Sequence, residues 1–207
     1  RISLQEIHAK CRKILKAKKW AGLYSYQPVD TTNLIADLNS PQADILLRKL
    51  TEKSVTIVKN EDNILPFKDL DKWNIASISI GSKDLNEFQE YLERYDDISY
   101  YAIRNNSSPT IFKAMTDVLA KFDAVIVSIH NTNQSPYRDY GVTKQTIDFV
   151  NTLTRKTYVI LGVFGNPYSL SRFKDLHKAK AVVVSYTDNQ MTRSLTAQAL
   201  YGGIAAE

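Results

Sequence analysis

The stretch Ser54–Phe67 reads SVTIVKNEDNILPF and gives the clearest structural signal in this sequence. Its first part, Val55–Val58, consists only of β-branched residues, which favour an extended strand. Lys59 and Asn60 follow as polar turn formers, and Pro66 disfavours a helical conformation at Leu65. The stretch therefore predicts a strand over Val55–Val58 that stops at Lys59-Asn60 and leads into a structured turn.

Strands and helices are predicted to alternate along the rest of the chain after Ser40, where a Ser-Pro pair is typical of a helix start. The predicted strands are Val55–Val58, Ile75–Ile80, Ile98–Ile103, Ala124–Ile129, Thr157–Val163 and Ala181–Ser185. The predicted helices after the first strand are Leu85–Arg94, Pro109–Lys121, Thr143–Thr154, Leu170–Leu176 and Met191–Tyr201.

Several strands are continuously apolar, notably Ala124–Val127 and Ala181–Val184. Such runs are typical of strands that are covered on both faces in a largely parallel sheet. We therefore expect a three-layer α/β/α sandwich with about six mostly parallel strands. The sequence predicts no particular strand order.

A helical arm is predicted before this sandwich. Ser3 and Glu6 have the spacing of a capping box, and apolar residues recur at helical intervals up to about Trp20. Most of the lysines of this helix occupy its other face, as expected of a solvated surface. We expect residues 1–39 to form this helix and a linker, and residues 40–207 to form the sandwich.

Composition argues against several classes of function. The formal net charge is +5, but six basic residues lie between residues 10 and 19 and the signs are mixed elsewhere, so we expect no nucleic-acid binding. The single cysteine, Cys11, excludes an intrachain disulfide and a multi-cysteine metal site, without fixing the compartment. No run of 18 apolar residues is present, so no membrane span is predicted. We expect no metal or other cofactor.

The loop after the fourth predicted strand, residues 130–141, is the richest in side chains that can contact a sugar. It contains amides, hydroxyls, two tyrosines, an arginine and a carboxylate, and such loops lie where doubly wound sheets bind ligands. We take four residues as candidate substrate contacts: His130, Asn131, Arg138 and Asp139. The alternative is a long polar crossover loop in which Asn and Ser serve turn formation and His130 is structural.

Other loops at the same predicted edge have simpler interpretations. Gly81–Asp84 contains one glycine, whereas phosphate cradles need several, which argues against nucleotide binding. Asn166-Pro167-Tyr168 predicts a tight turn into a helix. Asp188 is predicted to cap the last helix, because its carboxylate can accept hydrogen bonds from the exposed backbone N–H groups at the start of that helix.

No residue is predicted to be catalytic. Hydrolysis by paired carboxyl groups requires two that are placed together, and neighbours such as Glu61-Asp62 usually point apart into solvent. His8, His130 and His177 are too scattered for a metal motif or a hydrolase triad.

Four short segments resemble glycoside hydrolase family 3 in the order that this family has. Ser54–Phe67 resembles the "LLKN…LLPL" entry to its C-terminal domain, and residues 1–23 resemble the helix that leaves its catalytic barrel. Gly165–Tyr168 resembles a "G-N/S-P-Y" turn, and Gln198–Gly203 is similar to a "Q-x-L-F-G" segment. The resemblance implies a C-terminal α/β domain of such an enzyme, and we expect both ends of the chain to continue in a longer polypeptide.

In this family the nucleophilic aspartate belongs to an N-terminal (β/α)₈ barrel, which would precede Arg1. Some β-glucosidase-type members take their acid from a glutamate of the C-terminal domain. Here no Glu lies between Ile129 and Thr143, which favours a β-N-acetylhexosaminidase parent, itself expected to be periplasmic or secreted.

The implied partners are therefore the barrel of the same polypeptide and the carbohydrate substrate of the parent, over which residues 130–140 would form a roof. Two alternatives stay open. One is a stand-alone flavodoxin-like module that binds a nucleotide or a small anion. The other is a scaffold that joins the barrel to a module after Glu207.

Overall fold

The computed structural model describes residues 2–206, and it divides the chain into two compact units, the first ending at Asp44 and the second starting at Ile45. The first predicted domain begins at Arg1 and the second ends at Glu207, and both of these residues lie outside the described residues. The first unit contains helices α1 (Leu4–Trp20) and α2 (Leu34–Leu38). Helix α3 (Pro41–Ser54) starts in the first unit and continues into the second.

Helix α1 has the bounds that the sequence predicts. The Ser3 hydroxyl accepts a hydrogen bond from the Glu6 N–H, and Lys18 and Lys19 lie in the last turn, where the helix dipole favours positive charge. Within this unit the apolar side chains of α1 stay exposed. The short helix α2 was not predicted and lies in the segment that was expected to be a linker.

The second unit is built on a six-stranded sheet. Its strands are β1 (Thr56–Asn60), β2 (Ile75–Ile80), β3 (Ser99–Ile103), β4 (Ala124–Ile129), β5 (Tyr158–Val163) and β6 (Ala181–Val184). Their order is β1-β6-β5-β4-β2-β3, and only β1 is antiparallel to its neighbour. All six predicted strands are therefore present within one or two residues of their expected bounds.

Helices cover both faces of this sheet. Helices α4 (Glu87–Leu92) and α7 (Gln190–Leu200) pack on one face, where Phe88, Phe164 and Leu195 are fully buried. Helices α5 (Pro109–Leu119) and α6 (Lys144–Leu153) pack on the other face. The predicted three-layer α/β/α architecture is confirmed.

The hook after β1 is held by one asparagine side chain. The Asn60 amide donates to the Leu65 carbonyl at 2.8 Å, and its oxygen accepts from the Leu65 N–H at 3.0 Å. Two residues later the Phe67 N–H donates to the Leu200 carbonyl at 2.9 Å, at the end of α7. The predicted strand and turn therefore tie the edge of the sheet to the last helix.

Two local predictions were wrong. The expected helix Leu170–Leu176 is replaced by 3₁₀ turns at Pro167–Arg172 and Leu176–Lys178, because Phe173 between them is extended and buried in the core. Asp188 does not cap α7. Asn189 does so instead, in a reciprocal capping box with Thr192.

Candidate functional site

The carboxyl ends of the parallel strands carry the polar loops singled out from the sequence. The loop after β4 begins at His130 and is fixed by its own hydrogen bonds: Asn133 N–H donates to the Tyr140 carbonyl at 2.9 Å, and Ser135 N–H donates to the Asn133 side chain at 2.9 Å. The Thr132 hydroxyl donates to the Phe164 carbonyl at 2.9 Å in the loop after β5. The two loops are thus joined into one polar rim of the sheet.

His130 and Asn131 lie together in an ionic network. His130 Nδ1 is 3.1 Å from Asp188 Oδ1, and the Asn131 backbone N–H donates to Asp188 Oδ2 at 3.2 Å. The His130 ring is 2% exposed and stacks on Phe164, with ring centroids 4.5 Å apart. The structure therefore places His130 inside the protein, whereas Asn131 is exposed.

Asp188 is the centre of this network. It also accepts from Arg193 Nε at 2.8 Å, and Arg193 in turn forms an ion pair with Glu87. Burial opposes the charge of Asp188, but hydrogen bonds from His130 and Arg193 outweigh it and hold the pKa of this carboxyl well below its usual range. The network joins the loops after β4 and β6 to helices α4 and α7.

The environment of His130 defines its protonation state. Its Nε2 atom is buried and has no hydrogen-bond partner among residues 2–206, and it lies close to the rings of Phe88 and Phe164. Burial lowers the pKa of His130, although the hydrogen bond to Asp188 acts in the opposite direction. A neutral imidazole with its proton on Nδ1 satisfies both observations, and such a group stabilises the loop.

Gly81 follows β2 at the point where the strand order reverses between β2 and β4, which is the usual ligand crevice of doubly wound sheets. Its φ is +109°, and a Cβ atom there would lie 2.5 Å from the His130 carbonyl oxygen and 3.2 Å from Asn105 Oδ1. The His130 carbonyl and the Asn105 side chain therefore pack closely against Gly81.

Arg138 and Asp139 lie apart from His130, in the 3₁₀ segment Pro136–Gly141. Asp139, Tyr140 and Gly141 are three consecutive residues with positive φ, between 50° and 78°, which costs free energy at the two non-glycine positions. Asp139 forms an ion pair with Arg172 at 2.8 Å, and Arg138 is exposed. The structure thus divides the four predicted contact residues into a pair that contacts Asp188 and a pair in the 3₁₀ segment, and their contact with substrate stays a prediction.

Two tyrosines at this edge point into solvent. Tyr137 is 98% exposed and Tyr168, in the adjacent loop, is 72% exposed. The two loops are linked by the Asn166 side-chain amide, which donates to the Gln134 side-chain oxygen at 2.9 Å. Sequence reasoning did not single out Tyr137, because exposed and packed tyrosines look alike in a polar loop.

Residues 2–206 contain neither a metal-binding cluster nor a membrane-spanning helix. In that range no group of three or more His, Cys, Asp or Glu side chains is arranged to hold a metal ion. Nor does any helix in that range have both the length and the apolar character needed to cross a bilayer.

Comparison with known proteins gives matches among solved structures only. No protein-family model and no curated protein sequence matches this chain. A glycoside hydrolase family 3 β-N-acetylglucosaminidase from Paenibacillus matches with a TM-score of 0.62 and 17% identity, over 100% of this chain and 39% of that one. A fungal multi-domain family 3 β-N-acetylglucosaminidase matches with a TM-score of 0.63 and 16% identity, over 99% of this chain and 23% of that one.

A β-glucosidase from Listeria innocua, solved with isofagomine, matches with a TM-score of 0.61 and 14% identity, over 91% of this chain and 30% of that one. The chain therefore spans less than two fifths of the length of each of these three proteins. At such identities the likeness concerns the fold alone. This chain has the fold of a C-terminal-like domain found within longer glycoside hydrolase family 3 chains.

Proposed function

We propose that this chain is the C-terminal α/β domain of a glycoside hydrolase family 3 polypeptide, with residues 1–39 as the helix and linker that leave the catalytic barrel. The observation that carries the proposal is the coverage: two family 3 structures match 99% and 100% of this chain but only 23% and 39% of their own length. The ordered sequence segments, from Ser54–Phe67 to Gln198–Gly203, support the same assignment independently.

The proposed parent is a β-N-acetylhexosaminidase that acts on terminal β-linked sugars. Two of the matching structures are β-N-acetylglucosaminidases, and the loop after β4 contains no glutamate that could serve as the acid. A β-glucosidase also matches, so the sugar must be identified by assay.

The domain is proposed to pack on the barrel through apolar side chains of α3. Ile45, Leu46, Leu47 and Leu50 are each between 53% and 60% exposed, and contiguous exposed apolar side chains are typical of an interaction surface. We propose the barrel of the same polypeptide as the partner that covers this surface, because this chain spans only 23% to 39% of the chains that it matches.

The polar loops at the carboxyl edge are proposed to roof the sugar site of that barrel. Tyr137, Arg138 and Tyr168 are exposed on a rim whose backbone is fixed by hydrogen bonds and by the Asp139–Arg172 ion pair. A rigid loop that presents aromatic and cationic side chains contacts a ligand with little entropic cost.

A hydrolysis assay tests the proposal. We expect the 207-residue chain to show no turnover of nitrophenyl β-N-acetylglucosaminide or nitrophenyl β-glucoside, and the polypeptide that includes the barrel to cleave one of them. Turnover by the chain alone would overturn the non-catalytic assignment. Failure of the longer polypeptide to cleave any β-glycoside would overturn the family assignment.

The roofing role is tested in that longer polypeptide. Arg138→Ala is expected to raise KM or lower kcat by about tenfold, equivalent to about 1.4 kcal/mol of binding energy. Lys113→Ala is the matched control, because Lys113 is an exposed cation on α5 and not on the rim. Equal kinetics for the two variants would refute the roofing role.

A further inference from the structure

Two hollows meet at the amino edge of the sheet, opposite the loops described above. One has a volume of about 360 Å³ and the other of about 780 Å³, and both are lined by Asp69, Trp73 and Tyr158. Trp73 lies just before β2, and Tyr158 is the first residue of β5. We call these two hollows together the aromatic cleft.

The aromatic pair forms the wall between the hollows. The ring centroids of Trp73 and Tyr158 are 6.1 Å apart at an interplanar angle of 49°, and Tyr158 is 46% exposed. Trp73 packs against the core below it, which fixes its ring. Partly exposed aromatic rings of this kind offer an apolar face to the C–H face of a sugar ring while their polar atoms stay wet.

Charges of both signs line the aromatic cleft. Four carboxylates and five lysines line it: Glu61, Asp62, Asp69 and Asp123, with Lys68, Lys72, Lys121, Lys156 and Lys180. A polyanion would meet the carboxylates and a polycation would meet the lysines, so neither gains from the whole surface. A neutral ligand with many hydroxyl groups can accept from the lysines and donate to the carboxylates.

The polar groups of the smaller hollow are held in place. Lys180 Nζ lies 2.7 Å from Glu61 and 2.8 Å from Asp62, and 5.0 Å from the Tyr158 ring centroid. The hydrogen bonds to Lys180 and Lys59 lower the pKa of Glu61 to about 2. These groups therefore stay charged and oriented near neutral pH, as expected of a pre-formed site.

We propose that the aromatic cleft binds a neutral oligosaccharide, with sugar rings on both sides of the Trp73–Tyr158 pair. The volumes of both hollows are within the range of small-ligand sites. The site is separate from the proposed roof, because it lies at the opposite edge of the sheet. It does not depend on the barrel.

Tryptophan fluorescence of this chain tests the proposal. The variant Trp20→Phe removes the only other tryptophan, which is 90% exposed, and leaves Trp73 as the single reporter. Titration with chitohexaose, cellohexaose and laminarihexaose is expected to give a saturable change for at least one of them, with a Kd of about 1 mM or tighter.

Variants in the same background show whether the cleft is the site. Tyr158→Ala is expected to weaken binding about tenfold or more, whereas Tyr137→Ala at the opposite edge leaves the Kd unchanged. Asp69→Asn is the second cleft variant and is expected to weaken binding severalfold. Residue 69 has a φ of 52°, a conformation that asparagine tolerates, so we expect Asp69→Asn to fold. This variant therefore tests the cleft even if Tyr158→Ala does not fold.

Three results would overturn the proposal. The first is the absence of saturable binding by all three sugars, and the second is an unchanged Kd in both cleft variants. The third is tighter binding of single-stranded DNA than of any sugar, which would make the cleft a nucleic-acid site. Because this chain is tested alone, none of these results bears on the roof, whose test requires the longer polypeptide.

Discussion

His130 Nδ1 and Asp188 Oδ1 lie 3.1 Å apart and join the loop after β4 to the loop after β6. Arg193 binds the same carboxylate and extends the network to Glu87 on α4. The other ring nitrogen of His130 is buried next to apolar rings, and no described residue gives it a hydrogen-bond partner. Burial of that nitrogen favours the neutral imidazole, whereas the hydrogen bond to Asp188 favours the protonated form.

Protonation of His130 is expected to destabilise the fold. Burial lowers its pKa in the folded state below the ordinary value of 6.5, so the unfolded chain binds the proton first as the pH falls. The stability from neutral His130 is fully present above pH 6.5 and is lost progressively below it. Asp188, with a lowered pKa, titrates only at lower pH and does not contribute to this window.

Urea unfolding at pH 7.5 and pH 5.5 measures this effect. The original chain is expected to lose stability between these values, and His130→Gln is expected to be less stable at pH 7.5 but to change less with pH. The double variant His8→Gln, His177→Gln is the control and should keep the original slope. An unchanged slope in His130→Gln would show that another group titrates.

Gly81 is expected to resist substitution by alanine. The added Cβ would lie 2.5 Å from the His130 carbonyl oxygen, at a backbone φ of +109° that alanine rarely adopts. Overpacking and backbone strain together should cost about 3 kcal/mol of unfolding free energy. Chemical denaturation is the measurement.

Gly162→Ala is the matched control for Gly81→Ala. Gly162 lies in β5, and its nearest neighbours to a new Cβ are 3.8 Å away, in ordinary contact. The expected change is within about 1 kcal/mol. Similar losses of unfolding free energy in the two variants would contradict this prediction, because they would mean that the backbones of residues 81 and 130 can move apart with little loss of stability.

The sheet could be predicted from the sequence because its signals are local. Continuous apolar runs such as Ala124–Val127 identify the buried strands, and polar turn formers identify their ends. The strand order and the faces of the helices depend on contacts between distant segments, which composition does not encode. The failed helix at Leu170–Leu176 is an example: burial of Phe173 in an extended conformation overrides local propensity.

The polar site was predictable only in part. The sequence identifies the loop after β4 as polar and exposed, but it does not reveal that His130 points inward to Asp188. That pairing joins residues 58 positions apart. The three consecutive left-handed residues after Arg138 are also invisible in the sequence, because only the third is a glycine.

Asn60 is expected to be important for stability even though it is a turn residue. Its side chain makes one hydrogen bond to each backbone polar group of Leu65, which is 3% exposed. Asn60→Ala leaves both groups without this partner and should cost about 2 kcal/mol. Gln145→Ala, at an exposed position of α6, is the control and should change stability by less than about 0.5 kcal/mol. Equal effects of the two variants would show that the hook is held by its other contacts.

Replacement of Tyr137 by alanine is expected to leave the stability of this chain unchanged, whereas replacement of Tyr95 is expected to lower it. Tyr137 is 98% exposed, so Tyr137→Ala should leave the unfolding free energy of this chain within about 0.5 kcal/mol of its original value. Tyr95 stacks on Tyr201 with ring centroids 5.0 Å apart and an interplanar angle of 6°, so Tyr95→Ala should cost about 1–2 kcal/mol.

In the longer polypeptide the larger effect on KM should come from Tyr137→Ala, although Tyr95→Ala has the larger effect on stability. Tyr137→Ala is expected to raise KM about tenfold through the lost rim contact, whereas Tyr95→Ala should lower the melting temperature and leave KM unchanged. Steady-state kinetics and thermal unfolding of both variants measure the difference. A normal KM in Tyr137→Ala, together with normal stability, would remove this side chain from the roof, because its exposure would then serve neither folding nor substrate binding.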